Sequence, residues 1–547
     1  MGDEDENDRE NTGDGAESIP SSSAVKCVRR GSARANVPLS DFGRSPADQT
    51  SSSSSSNPLN PTTVAAHLLP LFDYAADIIP SVYHETTGVY YQATAGMRLL
   101  GTSEQTAVYD ALYEGLLREE SFVFTGMQRT DIATLSGEME AYYGALAANF
   151  LQGIIDTELR VVSAQNNSIE GTPDHDHPVG ALDMGGSSTQ IVYIANQEEV
   201  DFSTTSSSSM PQGSTTCPVK QQQQQQRLNK NHKPIGLYQN TCRLSDEHFF
   251  STSYLSYGVD QIRKRLWNTL VEEHIASSES PENTTTTKDN TTTTISNPCA
   301  NKGFEVEYKD HTLIGSGNTE ECTFQMQRLI PHPDIVHDWD ASVDEWTVGG
   351  VEHPPIRGKF LAMSLYFFAL DSLRVFSKQD AQRRLNEAWP NPSIQELQNA
   401  LDGLCSREWH GDMELQEGVH AFTRKEVLPH RCLETVYMVT LLRDGFGFHP
   451  SSRDITFTFD IDGDEVEWSL GLALAMNAAE QTATGTATTT TVTTTTFDYN
   501  INETENETND AIFELEDRQV ENYRMRVVPI AHHYSHFGVA MPPTHCC

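Results

Sequence analysis

The stretch GALDMGGSSTQIVYI, Gly180–Ile194, decides the fold expected for this chain. Apolar residues at Val179–Asp183 and Thr189–Ile194 predict two short strands, and the glycines between them predict a hairpin turn. No side chain screens a glycine N–H, so Gly185 and Gly186 favour close approach of a phosphate. The turn is therefore interpreted either as a phosphate site or as a plain tight turn whose glycines adopt positive φ.

Polar residues surround these glycines in a pattern that suits phosphate chemistry. Asp183 ends the first strand, where its carboxylate can hold a hydrated divalent cation against a phosphate. Ser187, Ser188 and Thr189 can donate hydroxyl hydrogen bonds, and Gln190 can orient a water molecule. The turn and its flanks thus form a candidate phosphate and metal site.

A second small-residue turn occurs in QATAGMRLL, Gln92–Leu100. Thr94 is a candidate hydroxyl donor to a phosphate, and Arg98 is a candidate cation. The alternative is that the small residues serve packing and that Arg98 is solvated at the start of a helix.

A third segment, SGEMEAYYGALAANF, Ser136–Phe150, places two glutamates in the first turn of a predicted helix. Attack of water on a phosphate needs a positioned base or aligning group, so Glu138 and Glu140 are candidates. The alternative is that both are surface residues that favour the positive end of the helix dipole.

Helical and strand-like patterns alternate along the chain and predict an α/β fold. Helices are predicted over Thr62–Ile79, Glu104–Leu117, Glu138–Gln152, Phe360–Phe376 and Trp468–Met476. Further strands are predicted over Thr87–Ala93, Ser121–Phe124 and Asp454–Phe459. Low-complexity inserts, interpreted as surface loops, occupy Ser203–Gly213, Gln221–Gln226 and Asn283–Thr294.

Length and charge limit the classes of protein that this chain can represent. Its 547 residues are enough for two or more cores, because single cores seldom exceed about 300 residues. The formal charge of -40, from 77 acidic against 37 basic residues, disfavours nucleic acid and anionic membranes as partners. No apolar run approaches the roughly 18 residues of a membrane span, and Met1–Ser56 contains no cleavable secretion signal.

The nine cysteines lack the paired CxxC spacing of zinc modules, so disulfides in an oxidising compartment are the favoured interpretation. Glycosylation acceptors agree with a secretory or extracellular location. They are Asn166, Asn283, Asn290, Asn502 and Asn506.

In order and spacing, the three segments resemble the motifs of the apyrase, or nucleoside triphosphate diphosphohydrolase, family. These motifs look like ATAG[LM]R, GxEEGxYGWxxxNY and GALDLGGASTQI. The resemblance extends from about residue 37 to residue 476. It includes PLSDFGRSP (Pro38–Pro46), SYLSYGVDQIRKRL (Ser253–Leu266), NPCANKG (Asn297–Gly303), LLRDGFGF (Leu441–Phe448) and WSLGLAL (Trp468–Leu474).

The resemblance implies a two-lobed, ribonuclease H-like (actin-like) α/β fold with disordered tails and inserts, and with the nucleotide in the cleft between the lobes. It implies that Glu140, rather than Glu138, aligns the attacking water. Asp183 would hold Ca²⁺ or Mg²⁺ through water, and Gln190 would help to position the nucleophile. The implied phosphate contacts are Gly185, Gly186, Ser187, Ser188, Thr189 and Thr94.

Other implications concern cysteines and the base of the nucleotide. Cys299 with Cys322, and Cys405 with Cys432, fall where family cysteines fall, whereas Cys217 with Cys242 is a weaker assignment. Either Phe367 or Phe368 would contact the base, although aromatic residues at helical spacing more often belong to a core.

We expect five regions: a disordered acidic segment (1–36), lobe I (37–137), lobe II with its inserts (138–466), a return helix (467–480) and a low-complexity tail (481–547). The family's opening Asp-x-Gly-Ser phosphate loop has no counterpart in 1–36, so the first hairpin of lobe I is expected to be missing and a sheet edge exposed. We interpret this as an incomplete or mis-spliced start. Ala141 and Ala145 are smaller departures, replacing the glycine and tryptophan of the second motif.

The favoured function is hydrolysis of nucleoside tri- and diphosphates by metal-assisted attack of a water aligned by Glu140. One alternative is a catalytically impaired nucleotide-binding member of the same superfamily. Another, from a different class, is a metal-binding protein that uses the histidine-rich segments at 175–177, 531–536 and 545–547.

Overall fold

The structure is a computed structural model that describes residues 32–35, 38–43, 59–162, 177–195, 242–278, 293–330, 346–485, 526–531 and 535–540. All structural statements below concern these residues. The five glycosylation acceptors and the inserts at 203–213 and 221–226 lie outside them. Most of the insert at 283–294 does too, and its last two residues begin a strand.

The strands are short. In chain order they are β1 (Ser32–Ala35), β2 (Gly88–Val89), β3 (Tyr91–Ala93), β4 (Ile132–Thr134), β5 (Gly180–Met184), β6 (Ser188–Tyr193), β7 (Phe250–Leu255), β8 (Thr293–Asn297), β9 (Glu305–Tyr308), β10 (His311–Gly315), β11 (Trp346–Val348), β12 (Val351–His353), β13 (Phe360–Ala362), β14 (Ile455–Phe457), β15 (Asp460–Ile461), β16 (Asp464–Glu465), β17 (Arg526–Ala531) and β18 (Ser535–Ala540).

The helices flank the sheets. They are α1 (Pro61–Ile78), α2 (Ala95–Arg98), α3 (Thr102–Leu116), α4 (Gly137–Leu151), α5 (Val259–Ser278), α6 (Thr319–Leu329), α7 (Leu365–Phe376), α8 (Gln379–Ala388), α9 (Ile394–Cys405), α10 (Arg431–Thr440) and α11 (Trp468–Gly485). A 3₁₀ helix at Leu39–Phe42 precedes α1.

A five-stranded sheet, which we call sheet II, is built around the hairpin, in the order β14-β13-β5-β6-β7. The predicted hairpin is confirmed: β5 and β6 are antiparallel, with Asp183 opposite Gln190. β7 continues the antiparallel part, whereas β13 and β14 run parallel to β5. Every residue of β5 and β6 is buried, including the polar residues Asp183, Ser188, Thr189 and Gln190 next to the turn.

A six-stranded sheet, sheet I, repeats this topology in the order β1-β18-β17-β3-β4, with β2 also paired to β17. β17 and β18 form an antiparallel hairpin, β1 pairs with β18, and β3 and β4 run parallel to β17. The β17–β18 hairpin therefore has the same place in sheet I as β5–β6 has in sheet II. Two sheets of this kind agree with the expected two-lobed α/β fold.

The sequence predicted that lobe I lacks its first hairpin and exposes a sheet edge. The structure instead has a C-terminal hairpin in sheet I. β17 and β18 lie within the segment 481–547, expected to be a low-complexity tail, and β1 lies within 1–36, expected to be disordered. The remaining parts of both segments, except the end of α11, lie outside the described residues. The sequence missed this pairing because β17 contains Pro529, which argues against a central strand, and because its partner β3 is more than 400 residues away.

Separate cores support the two sheets. The apolar faces of α1 and α3 pack beside sheet I, with Leu68, Phe72, Leu112 and Tyr91 among the buried residues. α4 and α11 pack closely together, since a Cβ at Gly471 would lie 1.8 Å from the Tyr143 carbonyl oxygen. A larger core lies on the other side of sheet II, among α5, α6, α7, α9 and α10.

Most local predictions are confirmed, with two exceptions. The predicted helices at 62–79, 104–117 and 138–152 appear as α1, α3 and α4. Residues 121–124 form no strand, and the predicted helix at 360–376 begins as β13 before α7. Short apolar runs satisfy both helix and strand patterns, so tertiary pairing decides between them.

Two disulfides have the implied connectivity. Cys299 is bonded to Cys322, and Cys405 to Cys432, across 23 and 27 residues of chain. Cys242 is also disulfide-bonded, and its implied partner, Cys217, lies outside the described residues.

Candidate active site

A narrow cleft separates the ends of the two sheets at the hairpin turn. The side of sheet I contributes Ser40 and the turn Thr94–Met97, and the side of sheet II contributes Glu140 and the turn Gly185–Ser188. Of the nine predicted site residues, six line this cleft: Thr94, Glu140, Gly185, Gly186, Ser187 and Ser188. The fold thus brings together residues that are up to 94 positions apart in sequence.

The hairpin turn is held from behind by the start of α5. Val259 N donates to the Gly185 carbonyl at 3.1 Å, and Asp260 N donates to the Gly186 carbonyl at 3.0 Å. Ser256 N likewise donates to the Ser187 carbonyl at 2.8 Å. The carbonyls are therefore directed toward the start of α5, and the Gly185 N–H donates within the hairpin to the Ser188 carbonyl at 2.9 Å.

Gly258 allows this close approach. A Cβ at Gly258 would lie 2.3 Å from both the Gly186 carbonyl carbon and the Ser187 nitrogen. Both of these are backbone atoms and have little freedom to shift. The α5 start and the turn therefore fit together only with glycine at this position.

Asp183 and Ser187 have the properties of groups that hold a hydrated cation. Asp183 is 6% exposed at the end of β5, and Ser187 is 4% exposed in the turn. The Ser187 hydroxyl is buried and has no hydrogen-bond partner among the described residues. In the described part of the chain, no cluster of three or more His, Cys, Asp or Glu side chains forms a protein-only metal cage. One carboxylate and a hydroxyl beside the glycine turn fit a cation such as Mg²⁺, which keeps several waters when it is bound by one or two carboxylates.

Glu140 lies at the centre of a buried polar cluster on the cleft wall. Its carboxylate is 2% exposed and accepts from Arg98 Nη2 at 2.8 Å and from Gln190 Nε2 at 3.0 Å. The neighbouring Glu138 is exposed. One glutamate is buried and the other is exposed because they point to different sides of the first turn of α4. The Ser136 side chain caps this turn and accepts from Met139 N at 3.2 Å.

Two serines complete this cluster. Gln190 Nε2 also donates to Ser188 Oγ at 2.6 Å and to Ser253 Oγ at 3.0 Å. Arg98 reaches the Leu135 carbonyl at 2.9 Å through its other terminal nitrogen. The position of Glu140 is therefore fixed by groups from α2, β6 and β7.

Thr189 lies on the opposite face of β6 from Ser188 and Gln190. Its hydroxyl donates to the Asp183 carbonyl at 2.8 Å and contacts the Tyr366 hydroxyl at 3.0 Å. Thr189 is fully buried and does not line the cleft. Its hydroxyl therefore serves the interior of lobe II, as the two-residue period of a strand requires.

A larger cavity continues from Gly185 and Gly186 into lobe II. Phe368, Phe422 and Phe459 contribute aromatic surface to it. Its charged lining combines three arginines with five carboxylates: Arg263, Arg424, Arg431, Asp260, Glu426, Glu434, Glu465 and Glu467. The Phe368 and Phe422 rings are stacked, with centroids 4.9 Å apart and planes 28° apart. Of the two phenylalanines considered for base contact, Phe368 lines this cavity.

Phe367, the other candidate, packs within the core. Its ring contacts Phe422, Phe459 and Trp389, and only 7% of the residue is exposed. The sequence did not distinguish Phe367 from Phe368, because the two residues are adjacent and identical and differ only in the face of the helix on which each ring lies.

His430, at the rim of this cavity, is the most strongly shifted titratable group that borders it. Burial lowers the pKa of His430 to about 3, and the positive charges of Arg263 and Arg431 add to the effect, while Asp260 opposes it. His430 is therefore neutral at physiological pH and adds no positive charge to the cavity.

Sequence reasoning missed Ser253 and Ser40, and it named Arg98 only as a candidate cation. Arg98 was considered, with solvation as the favoured interpretation, yet its side chain is only 14% exposed. Ser253 lies opposite Gln190 in the β6–β7 ladder, and Ser40 lies beside Gly96. Ser253 and Ser40 lie in the segments Ser253–Leu266 and Pro38–Pro46. Both segments resemble family motifs, but the resemblance assigned no role to either serine.

Among the described residues, no helix has the length and apolar character needed to cross a bilayer. The histidine-rich segments at 175–177 and 531–536 are only partly described, and 545–547 lies outside the described residues.

Comparisons with known proteins agree with the expected family. Residues 48–489 match the model of the GDA1/CD39 (nucleoside phosphatase) family. The Golgi apyrase of Saccharomyces cerevisiae is 25% identical over 391 residues, which cover 70% of this chain and 53% of that protein. Ectonucleoside triphosphate diphosphohydrolase 1 of Mus musculus is 25% identical over 411 residues, covering 71% of this chain and 65% of that protein. The chain thus spans between about half and two thirds of the length of these relatives.

Among solved structures, that of nucleoside triphosphate hydrolases from Neospora caninum matches with a TM-score of 0.43 and 13% identity, over 73% of this chain and 74% of that chain. A Ppx/GppA family member from Aquifex aeolicus matches with a TM-score of 0.33 and 11% identity, over 76% of this chain and 82% of that chain.

Proposed function

The chain belongs to the GDA1/CD39 (nucleoside phosphatase) family, and on that basis we propose that it hydrolyses the terminal phosphate of nucleoside tri- and diphosphates. The observation that carries the proposal is the position of Glu140, buried on the wall of the same cleft that the turn Gly185–Ser188 lines. The relatives named Golgi apyrase and ectonucleoside triphosphate diphosphohydrolase support this substrate class.

In the proposed reaction, the oxygen of a water molecule attacks the terminal phosphorus. A new P–O bond forms, the bond to the bridging oxygen breaks, and the shortened nucleotide leaves with that oxygen. Glu140 aligns the water and accepts its proton. Because phosphoryl transfer passes through a loose transition state, placement of the water matters more than the strength of the base. Gln190 and Arg98 serve this placement by holding the carboxylate.

The phosphate is held by the backbone N–H groups of Gly186 and Ser187, by the hydroxyls of Ser187 and Ser188, and from the other side by Thr94. Gly185 contributes by the absence of a side chain, because its N–H donates to the Ser188 carbonyl at 2.9 Å. Asp183 would hold Ca²⁺ or Mg²⁺ through water, and such an ion, when bound, neutralises charge on the phosphates. The nucleoside would extend along the cavity that contains Phe368. Thr189 is assigned a structural role in this arrangement, because its hydroxyl is bonded inside the lobe.

The test is release of inorganic phosphate from ATP, ADP and UDP with calcium, with magnesium, and with a chelator. We expect activity with a divalent ion and none with the chelator. Glu140→Gln should lower turnover by about 100-fold or more while nucleotide binding is retained. Glu138→Gln is the matched control, since this adjacent glutamate is exposed, and it should act like the unaltered chain. An undiminished rate in Glu140→Gln would show that Glu140 has been wrongly assigned.

A catalytically impaired nucleotide-binding protein is the second candidate. Residues 532–534, between β17 and β18, read His-His-Tyr and include neither the aspartate nor the glycine of the family's first phosphate loop. The same experiment separates the two candidates: nucleotide binding without phosphate release from any of the three substrates supports the second.

We also propose a secretory or extracellular location. The five disulfide-bonded cysteines described in lobe II and the name of the yeast relative favour an oxidising compartment. Secretion of the protein from eukaryotic cells, with a mass decrease on endoglycosidase treatment, is the expected result. A fully reduced, unglycosylated intracellular product would contradict it.

A further inference from the structure

Thr189 and Tyr366 connect two elements of lobe II behind the cleft. Both residues are fully buried, and Thr189 lies on the face of β6 opposite to the one that bonds Glu140. The Thr189 hydroxyl is 2.8 Å from the Asp183 carbonyl oxygen and 3.0 Å from the Tyr366 hydroxyl. A chain of polar groups therefore runs from α7 through β6 to the end of β5, where the candidate cation ligand lies.

The direction of each hydrogen bond in this chain follows from the groups themselves. A carbonyl oxygen only accepts, so the single hydroxyl proton of Thr189 is donated to Asp183. The Thr189 oxygen is then the acceptor toward its other neighbour, and the Tyr366 hydroxyl is the donor. In a buried chain of this kind each bond polarises and strengthens the next. Tyr366 therefore orients and reinforces the bond that reaches Asp183.

The turn that places Tyr366 is strained. Ser364, between β13 and α7, has φ 54°, a positive value that is unfavourable for a residue other than glycine. Such a conformation persists only where the surrounding structure requires it. Here the turn leads from β13, the parallel neighbour of β5, into α7, and it brings Tyr366 to within hydrogen-bond distance of β6.

Strand β6 thus bonds to both residues whose carboxylates are assigned to the reaction. On its cleft face, Gln190 donates to the Glu140 carboxylate at 3.0 Å. On its interior face, Thr189 donates to the backbone of Asp183, which lies opposite Gln190 in the hairpin. The Asp183 carbonyl belongs to the peptide plane that leads into the turn. Fixing this plane fixes the direction in which β5 presents the Asp183 side chain.

We propose that Tyr366 is a positioning residue for the divalent cation, because it acts through Thr189 to hold Asp183 in the orientation that binds the hydrated ion. This inference rests on the proposed function, in which Asp183 holds Ca²⁺ or Mg²⁺ through water. Loss of a group that orients a metal ligand typically costs about 10–100-fold in metal affinity. Tyr366 lies one bond further from the ligand, so a smaller loss is expected.

Binding of a non-hydrolysable ATP analogue, measured in excess Ca²⁺ and in EDTA, tests the inference without any need for turnover. The ratio of the dissociation constant in EDTA to that in Ca²⁺ measures the contribution of the ion. Tyr366→Phe should lower this ratio about threefold, and Thr189→Val should lower it at least as much, while the affinity in EDTA is unchanged. Asp183→Asn is the reference for loss of the ion, and its ratio should fall close to one.

The double variant shows whether Tyr366 acts through Thr189. Valine has no hydroxyl to accept the bond from Tyr366, so adding Tyr366→Phe to Thr189→Val should lower the ratio no further. The same addition should raise the guanidinium concentration at which the protein unfolds, because it removes a buried hydroxyl that the valine leaves unpaired. A role of Tyr366 in folding alone would instead change the ratio and the stability together.

Tyr254→Phe is the matched control. Tyr254 lies opposite Thr189 in the β6–β7 ladder and is 2% exposed. Its hydroxyl has no hydrogen-bond partner among the described residues. Removal of this second buried phenol hydroxyl should leave the ratio unchanged.

The inference is overturned if Tyr366→Phe leaves the ratio unchanged, if Tyr254→Phe lowers it equally, or if the double variant loses more than Thr189→Val. It is also overturned if Ca²⁺ does not strengthen binding to the unaltered chain, or if Asp183→Asn keeps the full ratio. Failure of the proposed hydrolase function has a different signature. In that case the analogue binds with the expected dependence on Ca²⁺ and the expected variant pattern, and no phosphate is released from ATP.

Discussion

Arg98 of α2 and Glu140 of α4 form an ion pair behind the wall of the cleft that Glu140 lines, with Arg98 Nη2 2.8 Å from Glu140 Oε2. α2 follows β3 of sheet I, whereas α4 packs on sheet II. The pair therefore links the two halves of the protein through the candidate catalytic carboxylate. The same Arg98 nitrogen also reaches Ser188 Oγ at 3.2 Å, at the end of the hairpin turn.

Arg98→Ala should lower turnover by about 100-fold, because a misplaced aligning group loses most of its effect. Arg98→Lys keeps the charge but loses the planar fork that reaches both Glu140 and the Leu135 carbonyl, so an intermediate loss of about tenfold is expected. Steady-state kinetics with ATP measures both effects. Arg118→Ala is the control, since Arg118 is 60% exposed in lobe I. Equal rates for Arg98→Ala and Arg118→Ala would remove Arg98 from the catalytic arrangement.

Gly258→Ala should displace the turn Gly185–Ser188, the proposed phosphate site. The added Cβ would overlap the Gly186 and Ser187 backbone at 2.3 Å, and overpacking of this kind typically costs about 1–3 kcal/mol. We expect catalytic efficiency with ATP to fall by about tenfold or more. In the control Gly144→Ala, the nearest atom, Met363 Cε, would be 3.5 Å away, and alanine favours the helix. Normal kinetics in both variants would mean that the turn tolerates movement.

Removal of one disulfide should destabilise lobe II. The pairs Cys299–Cys322 and Cys405–Cys432 close loops of 23 and 27 residues, and loop-closure entropy for such lengths is worth about 3 kcal/mol each. The double variant Cys299→Ala with Cys322→Ala should therefore unfold at lower guanidinium concentration. A reducing agent should shift the unaltered protein further than it shifts this variant. Coincident unfolding curves for variant and unaltered protein would contradict the prediction.

Deletion of residues 486–547 should destabilise lobe I, because it removes β17 and β18 and leaves β3 without its parallel partner at Ile530 and Ala531. Hydrogen exchange at residues 88–93 should accelerate, and the melting temperature should fall. Deletion of residues 541–547 alone keeps both strands and should have no such effect. The pairing of the C-terminal hairpin with sheet I would be refuted by unchanged protection at residues 88–93 in the longer deletion.

Much of the local structure followed from the sequence because its causes are local. The hairpin β5–β6 was predictable from two apolar runs around adjacent glycines, and α1, α3 and α4 from helical periodicity. The choice of Glu140 over Glu138 came from the family resemblance. The structure adds a physical basis for it, since one glutamate is buried and the other is exposed. Residues 360–362 were predicted as helix because a short apolar run does not reveal that it pairs with β5.

The sequence by itself determined the family, the β5–β6 hairpin and the order of the motifs, which depend on residue type and short spacing. Tertiary structure alone decided that Arg98 meets Glu140, that Phe422 stacks on Phe368, and that a C-terminal hairpin fills the place beside β3. These contacts join residues separated by 42, 54 and more than 400 positions. Their energies arise only when the chain has brought the partners together, and no local pattern encodes which partner that will be.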